Sequence, residues 1–328
     1  MIRTLYYSPE GGLIHFLTLE ELPEVLKRGA GLLWVDFEDT LPESDEPLLR
    51  QVFGFHPLAI DDALQETHVP KLDDWDTYLY IVLNAIKLIE DSPGEIELLE
   101  LDVFVGKHYL VTHHDQHIAA IDNTMQAIER DDRYLKNGAD RLLYRLIDEL
   151  VNQYMPVVEH LDSAIDQAED QIFNLPGPHT LEKIFSLKRT IIQLRRVIGP
   201  QREVLNKLAR DEYAVIEPRT RVYFRDIYDH LVRMQDLIES IRDLVSGVLD
   251  TYLSVVNNRM NDIMKTLTII TTFFMPISFI ASFFGMNYFA PTTPLEAWTS
   301  RPAFFVILGL TLLTPLAMYS WIRRRGWM

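Results

Sequence analysis

The side chains best suited to bind an ion or water form one polar line along an otherwise apolar stretch, residues 250–287. In steps of three and four residues this line contains Asp250, Leu253, Asn257, Asn261, Met264, Thr268, Thr271, Met275, Ser278 and Ser282. Isoleucine and phenylalanine occupy most of the remaining positions between Ile269 and Phe283. A repeat of about 3.5 residues keeps one helix face towards partner helices. The pattern predicts a water-lined helix bundle; polar residues that only hold membrane helices together are the alternative.

Two uncharged segments are long enough to cross a bilayer, one roughly from Leu267 to Phe284 and one from about Ala303 to Ile322. The positive residues that flank them are Arg259 and Lys265 before the first and Arg323, Arg324 and Arg325 after the second. Because positive residues remain in the cytoplasm, both chain ends are predicted to face the cytoplasm and the short loop to face outward. The start of the chain lacks a signal-peptide pattern.

Composition limits the classes of function. The chain has 328 residues, no cysteine and a formal net charge of −17. The lack of cysteine excludes disulfides, thiol nucleophiles and cysteine-ligated metals. An acidic surplus disfavours nucleic acid as a partner and is compatible with metal cations or simply with solubility. No Walker, dinucleotide or nucleophile-elbow motif occurs, so we expect neither a nucleotide partner nor an enzyme.

The first 117 residues mix strand and helix patterns and predict an α/β domain. Runs rich in β-branched and aromatic residues predict strands at 32–37, 78–89, 99–106 and 108–114. Helices are predicted after Thr18 and from about His56 to Gln65.

The motif VTHHDQH contains His113, His114 and His117, which raises the question of a zinc site. Neighbouring side chains at a strand end point in opposite directions and cannot easily share one ion. Histidines without a metal are therefore the favoured interpretation.

Long helices follow. Apolar residues spaced by three and four predict two helices between about 118 and 210, joined by a turn at 174–180, with Pro156 as the expected kink. A third helix is predicted from about Arg219 to Phe284, on the order of 100 Å long. A helix of that length must project from the membrane, and its repeat predicts association with copies of itself.

Several stretches of the sequence match a known family, and they occur along the chain in the same order as in that family. They are FGFHPLAIDDALQETHVPK (53–71), LLYRLIDELVNQY (142–154), YFRDIYDH (223–230), SGVLDTYLSVVNNRMNDIMKTLTIITTFFMPISFI (246–280) and GMN (285–287). They resemble the CorA family of magnesium and cobalt transporters over nearly the whole chain. The resemblance implies a funnel-shaped homopentamer. Its parts would be a cytoplasmic α/β domain (1–117), a helical hairpin (118–216), a stalk helix continuing as pore-lining transmembrane helix 1 (217–288), an external loop (289–301), and transmembrane helix 2 with a basic tail (302–328).

The resemblance also implies a function and its residues. The protein would carry Mg²⁺, and also Co²⁺ or Ni²⁺, across the cytoplasmic membrane down the electrochemical gradient. Five copies of Gly285, Met286 and Asn287 would form an external selectivity filter whose amide oxygens hydrogen-bond the hydrated ion. The pore would be lined by Asp250, Asn257, Asn261, Thr268, Thr271 and Ser278, with Met264, Leu267 and Met275 as apolar constrictions. Only Glu296 follows in the loop, where many members carry an acidic cluster.

A regulatory site is implied as well. The family pairs carboxylates of neighbouring subunits, and the matching positions are Asp61, Asp62 and Asp226, with His230 one turn further. Mg²⁺ bound there would cancel charge repulsion and favour the closed pentamer.

Two other functions remain open. One is a zinc transporter of the related ZntB type, against which the methionine of GMN argues. The other is a membrane-anchored coiled-coil sensor without a pore, which would not need hydroxyl and amide groups along a membrane helix.

Overall fold

The computed structural model describes residues 1–65, 69–89, 94–131, 133–174, 176–286 and 300–325. The chain divides into two compact units, Met1–Tyr252 and Leu253–Met328.

The first unit is built on a mixed sheet. Its strands are β1 (Ile2–Ser8), β2 (Gly12–His15), β3 (Leu32–Glu38), β4 (Lys71–Asp74), β5 (Tyr78–Leu88), β6 (Ile96–Gly106) and β7 (Tyr109–His114). The strand order is β2-β1-β3-β7-β6-β5-β4. β3 and β7 are parallel, with Leu33 opposite Tyr109, and the other neighbours are antiparallel. The four strands predicted from sequence are confirmed as β3, β5, β6 and β7.

Short helices cover one face of the sheet. They are α1 (Leu22–Arg28), α2 (Pro42–Pro47), a π-helical turn (Leu48–Val52) and α3 (Pro57–Leu64). Their apolar side chains pack on Val35, Tyr80 and Phe104 of the strands. The helix predicted after Thr18 begins only at Leu22. Residues 19–21 form a turn in which the Thr18 amide and hydroxyl donate to the Glu21 carboxylate, and Pro23 lies in the first turn of the helix.

Further helices complete the unit. α4 (Ala119–Arg130), α5 (Arg133–Lys136) and α6 (Ala139–Asn152) follow the sheet, and α6 contacts β6 and β7. α7 (Tyr154–Asn174) and α8 (Pro178–Arg210) form the predicted pair of long helices and contact each other.

Pro156 does not kink a continuous helix. It lies in the first turn of α7, where a missing amide is tolerated, and the chain breaks upstream at Gln153.

The third long helix is confirmed as α9 (Arg221–Gly285), which contains Pro276. Its buried residues are Phe224, Ile227, Leu231, Met234, Ile238, Ile241, Val245, Val248 and Tyr252. The second unit contains the remainder of α9 and α10 (Arg301–Arg324), whose first turn is capped by the Ser300 hydroxyl. Within the described residues, α9 and α10 are the two helices long and apolar enough to cross a membrane. The observed architecture is therefore an α/β unit followed by long helices and two apolar C-terminal helices.

Candidate functional site

The polar line predicted from sequence lies on one continuous helix. All of its predicted pore-lining residues belong to α9, and every one of them is exposed in the single chain: Asp250, Asn257, Asn261, Met264, Leu267, Thr268, Thr271, Met275 and Ser278. The apolar residues Ile269, Phe273 and Ile277 on other faces are half-buried. The membrane part of α9 thus leaves its polar line uncovered, and its apolar side chains range from half-buried to exposed, as at Phe274 and Phe279.

The threonine hydroxyls on this line have their protons engaged. Thr268 Oγ1 donates to the Met264 carbonyl at 2.7 Å, and Thr271 Oγ1 donates to the Leu267 carbonyl at 2.8 Å. A hydroxyl whose proton is bound to its own helix keeps only acceptor lone pairs for other partners. Such oxygens suit the water shell of a cation, whose hydrogen atoms point outward. The same bond occurs at Thr311 and Thr314 of α10, so it is a local property and not by itself a site.

Thr268 occupies a different position from the rest of the line. Together with Lys265, Ile269 and Thr272 it borders a groove whose other wall comes from Met318, Trp321 and Ile322 of α10. The other predicted pore residues do not line this groove. A pore-lining role of Thr268 stays a prediction.

The GMN tripeptide begins where α9 ends. Gly285 is the last residue of the helix, and the Met286 amide donates to the Phe283 carbonyl at 3.4 Å. The Met286 side chain is exposed. Asn287 and Glu296 lie outside the described residues, so the filter amide and the loop carboxylate stay predictions.

One half of the predicted regulatory site lies on α3. The carboxylate of Asp62 forms an ion pair with Lys71 Nζ, which also lies 3.1 Å from Asp73 Oδ2. Asp61 is exposed next to it. Burial alone would lower the pKa of Lys71, but its hydrogen bonds with Asp62 and Asp73 outweigh burial and raise the pKa. The charge of the Asp62 carboxylate is therefore already paired with the Lys71 ammonium group.

The other half lies where α6 meets α9. Asp226 is exposed and His230 is half-buried on α9, and both act electrostatically on Asp148 of α6. Burial raises the pKa of Asp148; Arg145 opposes this rise, Glu149 adds to it, and the smaller effects of His230 and Asp226 oppose each other. Asp148 was not singled out from the sequence, although it lies within the matched stretch 142–154.

The predicted regulatory residues do not form a complete metal site within the described residues of one chain. The described ranges contain no group of three or more His, Asp or Glu side chains placed to hold a metal ion. The predicted regulatory residues are divided between α3 and α9, and the structure brings Asp148 to the α9 group. A bound cation at either place would need ligands from water or from another copy.

The three histidines of VTHHDQH have separate carboxylate partners. His113 Nε2 lies 3.5 Å from Asp45, His114 Nε2 lies 3.2 Å from Asp36, and His117 Nδ1 lies 3.2 Å from Glu38. Burial alone would lower the pKa of His114, but its hydrogen bond with Asp36 and the charge of Asp36 outweigh burial and raise it.

The pKa of Asp36, the partner of His114, is shifted in the opposite direction. Burial would raise the pKa of Asp36, but its hydrogen bond with His114 and the His114 charge lower it. The Arg3 guanidinium also donates to Asp36 at 2.9 and 2.7 Å. These contacts assign Asp36 and His114 to a buried ion pair that holds the sheet and its neighbours together.

Comparison with known proteins gives a consistent result. The family model of the CorA-like Mg²⁺ transporter protein matches residues 29–324. The chain is 35% identical over 279 residues to the cobalt/magnesium transport protein CorA of Thermotoga maritima, covering 85% of this chain and 78% of that protein. It is 24% identical over 329 residues to the protein of the same name from Methanocaldococcus jannaschii, covering 100% of both.

Solved structures share the fold. The complete CorA magnesium transporter of Methanocaldococcus jannaschii matches with a TM-score of 0.83 at 22% identity, covering 100% of this chain and 99% of that one. The ZntB cytoplasmic domain of Vibrio parahaemolyticus matches with a TM-score of 0.62 at 15% identity, covering 79% of this chain and 98% of that one. With the match over residues 29–324, two membrane-length helices and a polar line on α9, this chain belongs to the CorA family of divalent cation transporters.

Proposed function

We propose that the chain forms a homopentameric channel that conducts hydrated Mg²⁺, and also Co²⁺ or Ni²⁺, across the cytoplasmic membrane, with both termini in the cytoplasm. The observation that carries this proposal is the exposed polar line of α9. In a membrane, uncovered hydroxyl groups such as those of Thr271 and Ser278 keep acceptor lone pairs that only water or another helix can satisfy. Copies of α9 around a water-filled axis would satisfy all of them at once.

The polar groups suit a hydrated ion. Mg²⁺ loses its water ligands reluctantly, so a pathway that binds the water shell avoids the cost of stripping it. Thr271 Oγ1 has its proton on the Leu267 carbonyl and would accept a hydrogen bond from a coordinated water. Entry needs no nucleotide, because the membrane potential supplies roughly 2.3 kcal/mol per charge per 100 mV.

Ion selection and pore closure would depend on different residues. Copies of Gly285, Met286 and Asn287 would form the external filter, in which neutral amide oxygens bind the water shell without trapping the ion. The exposed side chains of Met264, Leu267 and Met275 would form apolar rings further in. Such rings stop ion flow when they narrow enough to exclude water.

Flux into proteoliposomes tests the pore. We expect a membrane potential to drive Mg²⁺ uptake, and cobalt hexammine, which mimics the hydrated ion, to block it. Asn287→Ala should reduce uptake and weaken the block. Selective, blockable uptake by Asn287→Ala would falsify the filter assignment, and absence of any cation uptake by the unmodified protein would favour a sensor without a pore.

For regulation, we propose a cytoplasmic Mg²⁺ site shared between subunits, with Asp61 and Asp62 from one copy and Asp226, His230 and Asp148 from another. The division of these residues between α3 and α9 supports a shared site. Mg²⁺ would have to displace Lys71 from Asp62 or bind beside this pair. Bound Mg²⁺ would cancel repulsion among the carboxylates and stabilise the closed arrangement.

Limited proteolysis tests the regulatory site. Mg²⁺ should protect the unmodified protein against protease, and Asp226→Asn should require a higher Mg²⁺ concentration for equal protection. The matched control is Asp229→Asn, which changes an exposed aspartate on the same helix. An unchanged Mg²⁺ requirement in Asp226→Asn removes Asp226 from the sensor.

The ZntB type of zinc transporter is the second candidate, and the likeness of the fold to the ZntB cytoplasmic domain favours keeping it. The proteoliposome uptake assay distinguishes this zinc transporter from the Mg²⁺ channel. Uptake of Zn²⁺ well above that of Mg²⁺, without block by cobalt hexammine, would support the zinc transporter.

A further inference from the structure

A groove between the two apolar helices carries an inference beyond ion conduction. It lies within the second unit, between α9 and the C-terminal end of α10, and has a volume of about 380 Å³. One wall is formed by Lys265, Thr268, Ile269 and Thr272, and the other by Met318, Trp321 and Ile322. In the proposed orientation, Lys265 lies at the cytoplasmic end of the membrane-spanning segment of α9, and Trp321 lies near the cytoplasmic end of α10.

Among the described residues, the two cations nearest this groove have no carboxylate partner. Within the described part of the chain, neither Lys265 nor Arg325 has a carboxylate at ion-pair distance. Arg325 does not line the groove itself, but its guanidinium lies over the ring of the lining residue Trp321, 5.0 Å from the ring centroid. By contrast, Arg3 and Arg145 of the first unit each pair with two or more carboxylates.

The remainder of the groove is apolar. Ile269 is half-buried, Ile322 is buried, and Met318 is half-buried on the facing helix. A tryptophan at the edge is typical of the interface between acyl chains and headgroups. The groove therefore combines apolar walls from two membrane helices with Lys265 in one wall and Arg325 against Trp321, two cations without a carboxylate partner in the part of the chain that the structure describes.

We propose that this groove binds an anionic phospholipid of the inner leaflet. One acyl chain would lie along Ile269, Met318 and Ile322, and the headgroup phosphate would accept hydrogen bonds from Lys265 and Arg325. Basic pockets between membrane helices on the cytoplasmic side suit such headgroups. A phosphatidylglycerol-type lipid fits better than a zwitterionic one, because its net negative charge is not cancelled by a choline or amine. The inference rests on the membrane orientation of the proposed function, but not on ion conduction.

Native mass spectrometry of the full-length protein in detergent tests this proposal, with phosphatidylglycerol and phosphatidylcholine of equal chain length added separately. We expect phosphatidylglycerol adducts to persist and phosphatidylcholine adducts to be lost. Each lost charge should weaken phosphatidylglycerol binding about fivefold, measured with Lys265→Gln and with Arg325→Gln. Lys265→Arg should retain binding and thereby show that the position tolerates substitution.

The matched control is Arg301→Gln, which removes the same charge at the opposite end of α10. Equal binding of the two lipids, or equal losses for Arg301→Gln and Lys265→Gln, overturns the proposal. Complete competition by soluble glycerol 3-phosphate also overturns it, because the site would then bind a free phosphate without the acyl chain. Lipid binding is measured without ion flux, so a failure here leaves the proposed channel untouched, and a failure of flux leaves this result standing.

Discussion

The two parts of α9 differ although they belong to one helix. From Phe224 to Tyr252 a residue is buried at every third or fourth position. After Tyr252, no residue of the described part of α9 is buried, and large apolar side chains such as Phe274 and Phe279 are exposed. The first part has its packing partners within the same chain. The second part presents both apolar and polar surface to partners outside the chain, such as lipid, water or another copy.

Charges follow the same division. In the first unit, buried Asp36 is held by Arg3 and His114. In the second unit, Lys265 and Arg325 have no carboxylate at ion-pair distance among the described residues. Buried charge of the first unit, at Asp36, is therefore neutralised within the chain, whereas these two charges of the second unit are not neutralised among the described residues. Three experiments test this difference between the two units.

The largest expected effect comes from truncating a buried side chain of α9. Phe224 is 0% exposed, so Phe224→Ala leaves a cavity and should lower the free energy of unfolding by about 3–5 kcal/mol. For a unit of this size, this lowers the melting temperature by roughly 6–20 °C. Thermal unfolding followed by circular dichroism measures the change.

The control for this experiment is Phe274→Ala in the second part of the same helix, where the side chain is 63% exposed. Its melting temperature should change little in detergent, because only a minor part of this side chain is covered within the chain. Equal losses in the two variants would show that both parts of α9 are packed alike.

A smaller effect is expected from the buried ion pair. The raised pKa of His114 stabilises the fold fully below about pH 6.5, and this contribution is lost as pH rises through the raised value. The lowered pKa of Asp36 stabilises above about pH 3.9 and is lost as pH falls through the lowered value. Stability should therefore fall above about pH 6.5, by at most about 1.4 kcal/mol per pH unit from His114.

Melting temperatures at several pH values between about 6 and 9 check this prediction. His114→Gln should flatten the dependence. His117→Gln should leave it intact, because His117 lies at an exposed ion pair. An unchanged slope in His114→Gln would mean that the pair does not control stability in this range.

The smallest effect concerns one hydroxyl in the second unit. Thr271→Val keeps the shape and removes an acceptor worth about 1 kcal/mol, so Mg²⁺ uptake should fall about fivefold while the melting temperature stays the same. Thr314→Val removes an equivalent hydroxyl from α10 and is the control. Similar losses of uptake in both variants would remove the distinction between the polar line of α9 and the rest of the membrane helices.

Much of the fold follows from local sequence patterns. The long β-branched runs of β5 and β6 and the unbroken helical repeat of α9 were predictable because each carries its own periodicity. β2 and β4 were not, since each has four residues and β4 reads KLDD, with three charged residues. The parallel pairing of β3 with β7 depends on contacts between residues more than seventy positions apart, which no local pattern records.

Some residues of the candidate site were also predictable from local sequence patterns, and others were not. The polar line of α9 was predictable because its residues are spaced along one helix. Asp148 was not, because it approaches Asp226 only through the packing of α6 against α9. The Lys71 pair with Asp62 was also not foreseen, since it requires β4 to lie beside α3. Local spacing identified residues on one element, whereas contacts between elements required the structure.

The shortness of the two outermost strands has a consequence for biosynthesis. β2 and β4, at the ends of the sheet, have four residues each and offer few unpaired backbone groups to another chain. The ribosome completes the first unit before either apolar helix is made, and at roughly 5–20 residues per second it needs several more seconds to finish the chain. During that interval the edges of the sheet are open to other nascent chains, and such short edge strands leave those chains few backbone groups with which to pair.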